Sequence, residues 1–145
     1  MILILFLLLL FPIGFNVYTI TGEYLAISNI SIEIINIALD NGSTNKSIII
    51  QLRISNPTKH NTPRFTLDAF IRPITFSSNR FVGESKLSEI VVGAYNSLIQ
   101  TFSVTLEPEI VEVTMKGITM KTILYSKLLF NLFPFSKTDM YYYPS

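Results

Sequence analysis

From Ser47 to Ser55 the chain reads Ser-Ile-Ile-Ile-Gln-Leu-Arg-Ile-Ser. Ile48, Ile50, Leu52 and Ile54 therefore fall on one side of an extended segment, with Ile49, Gln51, Arg53 and Ser55 on the other. A period of two belongs to a strand with one buried face, because successive Cβ atoms point to opposite sides of the pleat. The same pattern recurs: Ile30, Ile32 and Ile34 alternate with Ser31, Glu33 and Ile35, and Phe65, Leu67 and Ala69 resume it. Leu98, Gln100, Phe102, Val104 and Leu106 stand opposite Ile99, Thr101, Ser103 and Thr105. No long 3.6-residue periodicity competes with these runs beyond the first twenty positions. The expected fold class is all-β.

Turn residues punctuate the runs. Asn41-Gly42 supplies the positive-φ residues of a tight hairpin, and Asn56-Pro57 ends a strand because proline lacks the ladder N–H. Ser77-Ser78-Asn79 and Gly93-Ala94-Tyr95-Asn96-Ser97 mark further turns. Glu107-Pro108-Glu109 has the acid-Pro-acid character of a helix first turn, so a short helix over Pro108 to Met115 competes there with a strand. Ile118 to Phe135 reads as a long last strand or a bent pair. Lys137 to Ser145, with its three consecutive tyrosines, reads as a flexible tail. Strands with turns at this spacing predict an antiparallel β-sandwich.

Residues Met1 to Ile20 carry no charge, and Met1 to Phe11 is unbroken apolar sequence. About 20 residues at 1.5 Å each match a hydrocarbon layer of ~30 Å. An N-terminal transmembrane helix over residues 1–22 is the expectation, with Pro12 as a kink and Tyr18 at the headgroup level. A cleaved signal peptide is the alternative, and Ala26-Ile27-Ser28 offers its small-x-small site. Either would place the C-terminal domain, 28–136, on the extracytoplasmic side, with 137–145 as the tail. No Lys or Arg precedes Lys46, so loop charge does not fix the orientation.

Composition narrows the function. Charged residues make up 14% of the chain, against about 25% in a typical soluble domain. The net charge of +1 gives no basic face for nucleic acid. With no cysteine and His60 as the sole histidine, a thiolate metal site or a nucleophile triad lacks its parts, and His60 reads as a loop residue in water. Glu84, Glu89, Glu107, Glu109 and Glu112 could pair as acid and base, but they sit at turns and strand ends, where solvated rims are the rule. Asn29-Ile30-Ser31, Asn41-Gly42-Ser43 and Asn45-Lys46-Ser47 fit the glycosylation sequon. No catalytic, cofactor-binding or metal-binding residue is assigned, and a non-enzymatic role is expected.

The segments Ile50-Gln51-Leu52-Arg53-Ile54-Ser55-Asn56-Pro57, Phe65-Thr66-Leu67, Phe81-Val82-Gly83-Glu84, Ile90-Val91-Val92 and Phe102-Ser103-Val104 follow one another in an order that resembles the late embryogenesis abundant type 2 family, the water-stress and hypersensitive-response domain. Asn56 and Pro57 are its most distinctive element, with a structural role. The chain departs from the family at Thr58-Lys59-His60-Asn61, where members often carry another Asn or an aromatic residue. The resemblance implies a fibronectin type III-like sandwich with at most one or two short helices, often behind a membrane segment, and non-catalytic protection or binding under water stress. The expected partners are membrane lipid through the N-terminal segment and a protein or lipid at the cell surface, with no nucleic acid. Two other functions compete: a structural or adhesive surface protein, and a hydrolase using the scattered carboxylates.

Overall fold

A computed structural model of the chain describes residues 2–40, 47–73, 83–105 and 118–143, and at 2, 3, 5–7 and 9 the backbone alone. One helix, α1 (Ile2–Ser28), precedes seven strands: β1 (Ser31–Asp40), β2 (Ser47–Ser55), β3 (Phe65–Pro73), β4 (Gly83–Ile90), β5 (Ser97–Thr105), β6 (Ile118–Leu128) and β7 (Phe133–Tyr143). The strands form two antiparallel sheets, β1-β2-β5 and β4-β3-β6-β7. Their apolar rows face one another.

The row read from the sequence is the core. Ile48, Ile50, Leu52 and Ile54 are fully buried, beside Phe102 and Val104 of β5 in their own sheet, with Phe65, Leu67, Ala69 and Ile71 of β3 buried in the facing one. Burying each large aliphatic side chain contributes about 1.5–3 kcal/mol. In β1 the sequence breaks its own period at Ile34-Ile35-Asn36-Ile37, and the register shifts there: Ile34 pairs with Leu52, but Ile37 pairs with Ile50. Ile35 is the extra residue of a bulge, which turns Ile37 back toward the core. A second bulge sits where Phe65 pairs with Ile90 but Leu67 with Leu87, and Glu89 takes the left-handed conformation within it, φ 59°.

At the C-terminus the bent pair is found, and the tail departs from the sequence reading. Residues 118–135 are two strands joined by a tight turn at 129–132, and the expected tail is strand β7, paired with β6 from Phe133 to Tyr143. The tail looked loose because its inward row is Phe135, Lys137, Asp139, Tyr141 and Tyr143, in which two charges interrupt the apolar alternation. Those charges pair with each other at 3.1 Å, so the strand tolerates them. Inward charges on an edge strand also discourage pairing with another chain.

α1 continues past the expected boundary at residue 22. Its last turns are part of the sandwich, with Ala26 and Ile27 fully buried, so the small-x-small triplet at Ala26-Ile27-Ser28 is shielded. Pro12 lies within the helix without ending it. Among the described residues no helix is long and apolar enough to cross a membrane. Of the first nine positions, that description takes in only the side chains of Ile4 and Leu8. The expected turns at Asn41-Gly42 and Ser77-Ser78-Asn79, and the stretch Pro108 to Met115, lie outside the described residues, as do Phe81 and Val82 of the family-like pattern. The expected turn at 93–97 is present.

Candidate functional site

Three connections meet at the end of the sandwich where α1 enters: 56–64, 91–96 and 129–132. Asn56 organises the first two. It is 1% exposed, and its amide nitrogen lies within donating distance of the carbonyl oxygens of His60 (2.7 Å), Gly93 (3.1 Å) and Val92 (3.3 Å). Its Oδ1 accepts from the Thr58 N–H at 3.0 Å and the Thr58 hydroxyl at 2.8 Å. Its own N–H donates to the Asn96 carbonyl at 2.9 Å. A buried amide that satisfies groups in two loops acts as a clip between them. Thr62 reinforces it: its N–H donates to the Val92 carbonyl at 3.0 Å, and its hydroxyl accepts from the Val92 N–H at 2.9 Å. Pro57 is exposed and follows the strand end, as its missing N–H demands.

The clipped loop in turn seats the helix. His60 packs edge-on against Tyr18, with ring centroids 5.7 Å apart, and lies so close to Gly22 that a Cβ there would come within 2.7 Å of Nδ1. His60 is thus a half-buried wedge between loop and helix rather than a side chain in open water, a correction to the sequence reading. The absence of a side chain at Gly22 is what lets the imidazole in.

The third connection is tied to the same helix. Leu129, Phe130 and Asn131 all have positive φ, at 46°, 52° and 71°, in a turn without glycine. Such residues are uncommon in this region, and a bulky one needs its surroundings to hold it. The Glu23 carboxylate accepts from the Leu129 N–H at 2.6 Å, and the Leu132 N–H donates to the Leu128 and Leu129 carbonyls, each at 3.1 Å. Tyr24 meets Phe135 edge-on at 5.8 Å. Lys137 reaches the last carbonyl of the helix, Ser28 at 3.3 Å, and that of Ile30 just beyond it at 3.5 Å, where a cation suits the negative end of the dipole. Glu23, Gly22 and Lys137 escaped the sequence reading, since their partners lie about a hundred residues away or, for Gly22, in a loop whose course the sequence does not give.

Large apolar and basic side chains are exposed at this end. Phe130 is 78% exposed and Leu132 69%, and Lys59 and Lys127 are open to solvent. A cleft of about 700 Å³ opens beside the turn, lined by residues that include Tyr125, Lys127, Asn131 and Pro134; its other charged groups, Arg64 and Glu89, pair with each other at 3.0 Å.

The carboxylates are not gathered. Glu84 and Glu89 stand five residues apart on β4, roughly 16 Å at strand rise, beyond the ~5–10 Å of a working acid–base pair. Glu107, Glu109 and Glu112 lie outside the described residues. Among the described residues no three His, Asp or Glu side chains converge on a common point fit for a metal ion. Of the three sequons, only Asn29 is described; it is exposed, and its amide donates to the Leu25 carbonyl at 2.8 Å as the helix ends.

No family model matches the chain, and no curated protein does. Among solved structures it is similar to the AT1g01470 protein of Arabidopsis thaliana, at 12% identity over 77% of each chain with a TM-score of 0.52. It is also similar to the ligand-binding region of Serine-glutamate repeat protein A of Enterococcus faecium, at 16% identity over 77% of this chain and 89% of that one, TM-score 0.42. At these identities the first likeness concerns the fold alone.

Proposed function

We propose that the chain is a non-catalytic, membrane-anchored sandwich of the late embryogenesis abundant type 2 kind, fibronectin type III-like in its strand arrangement. Its role is protective or binding, on the extracytoplasmic side of a membrane. The observation that carries this reading is the joint made by α1: one helix whose C-terminal turns are built into the sandwich and whose remainder projects apolar side chains with nothing folded against most of them. Leu8, Phe11, Ile13, Phe15 and Val17 are each more than half exposed, on several sides of the helix. Water is a poor medium for such a surface and lipid a good one. Two threonines near the sandwich end of this stretch are compatible with it: Thr19 and Thr21 return their hydroxyls to the carbonyls of Phe15 (2.9 Å) and Val17 (2.7 Å), so neither requires water.

The family assignment is supported by the three-plus-four division of strands, by the Asn56-Pro57 strand end with its clip, and by Gly83 at the close approach of the two sheets. The reading is tested in two parts. Cell fractionation with intact-mass measurement should find the uncleaved chain in the membrane fraction, resistant to carbonate extraction; recovery of a soluble, shortened product refutes the anchor. A version beginning at Tyr18, which keeps the docked turns of α1, should suppress aggregation of a heat-stressed test enzyme at near-stoichiometric amounts. Failure to do so removes the protective role.

A further inference from the structure

We propose that the turn between β6 and β7 is a second membrane contact, with Phe130 and Leu132 inserted among the lipid headgroups beside α1. This rests on the reading of α1 as an anchor and adds a site to it.

The geometry fixes where the turn lies relative to the helix. Glu23 binds the Leu129 N–H at 2.6 Å, and Tyr24 meets Phe135, so the turn is held against a known level of α1. Tyr18, the residue suited to the headgroup zone, is five positions toward the N-terminus, about 7.5 Å along the axis. A phenylalanine or leucine side chain directed from the turn toward that level would cover most of the distance. The left-handed conformations of Leu129, Phe130 and Asn131 are maintained in a turn that leaves Phe130 and Leu132 among the most exposed large apolar side chains of the sandwich. In water the exposure of these two side chains gains nothing. Against a bilayer it places an aromatic ring and an aliphatic chain at the depth where such groups are stable.

The charges agree with a lipid occupant. Lys59, on the loop wedged against Tyr18 and Gly22, and Lys127, one residue before the last of β6, are exposed at the same end and suit lipid phosphates. Among the described residues, two carboxylates near this patch are engaged, Glu23 with the turn itself and Glu89 with Arg64. A second copy of the chain, covering the same patch, is the rival occupant.

The chain contains no tryptophan, so one introduced indole reports its own surroundings. The full chain is reconstituted into phosphatidylcholine–phosphatidylglycerol vesicles as three single variants, Phe130→Trp in the turn, Phe11→Trp in the helix and Leu39→Trp at the far end of β1. All three positions are at least 44% exposed, and unchanged far-ultraviolet circular dichroism checks that each folds. Phe130→Trp should emit to the blue of Leu39→Trp and lose most of its emission to lipids brominated near the headgroup end of their chains. Phe11→Trp should be quenched best by bromines near the bilayer centre. If Phe11→Trp is quenched and Phe130→Trp behaves like Leu39→Trp, the anchor stands and the second contact is wrong. A blue-shifted Phe130→Trp that bromolipids leave bright means protein covers the turn, which also overturns the proposal. If neither is quenched, anchor and second contact fall together.

Discussion

Asn56 bonds groups in two loops at once through both ends of one buried amide. Asn56→Ala leaves the Thr58 N–H without its acceptor and takes one donor from each of three carbonyls that keep another, at Thr58 Oγ1, Thr62 N–H and Asn96 N–H; since a buried group left unpaired costs about 1–3 kcal/mol, a loss of about 2 kcal/mol is expected from urea unfolding. Asn56→Asp is the sharper comparison. It keeps the shape and the acceptor, but removes the donor and sets a carboxylate among three carbonyl oxygens, so it should destabilise more than alanine does. Equal or smaller loss would mean that the clip does not hold the loops. From the sequence, Asn-Pro was legible as a strand end; the clip was not, because its acceptors at Val92 and Gly93 lie 36 and 37 residues on. Tyr141 gives a pH signature. Burial first, and then the charge of Asp139, push its hydroxyl from 10.0 up to about 12. The neutral phenol is therefore favoured by folding. Its contribution is complete below pH 10 and disappears as the pH rises from 10 toward 12. Over that window the wild type should lose more stability than Tyr141→Phe, measured as the difference between their urea midpoints.

Among the elements, β4 and β5 lie close together where Gly83 faces Val104. A Cβ at 83 would sit 1.9 Å from a Val104 methyl that is itself in the core. Gly83→Val should cost about 1–3 kcal/mol as overpacking, and Val104→Ala in the same chain should recover part of it, a coupling that a calorimetric double-mutant cycle would measure. Additive losses would show that the sheets can separate freely. The elements best read from the sequence, β2 and β3, are those whose inward rows are unbroken aliphatic and aromatic residues. β7 was unreadable because Lys137 and Asp139 occupy inward positions and only their mutual pairing makes that tolerable. The turn before it was equally hidden: Leu129 and Phe130 adopt a backbone that their side chains disfavour, and Asn131 alone gives the usual turn signal.

At the scale of the molecule, α1 has C-terminal turns built into the sandwich and an N-terminal stretch for which we propose an anchor role, and deletion separates the two. Removal of residues 1–17 leaves Ala26 and Ile27 in place and should yield a soluble domain that melts cooperatively. Removal of 1–28 strips those two side chains and the Glu23 tie to the turn; burial of one isoleucine alone is worth about 2–5 kcal/mol by truncation to alanine. The shorter form should melt well below the longer one or aggregate, as differential scanning calorimetry would show. Equal melting would mean that the last turns of the helix are dispensable. The sandwich as a whole was visible in the period-two rows, whereas its closure at the lower end was not, because a segment that reads as leader supplies part of the core.

Only Asn29 and Ile30 separate α1 from β1, and Ile30 is 4% exposed. There is no swivel between the two. A lever some 35 Å long, the reach of an eleven-residue strand at about 3.3 Å per residue, is thus clamped to the end of a rod. Tilting the rod by a few degrees would sweep the far tip sideways by several ångströms, and a pull on the tip would be felt as torque at the base.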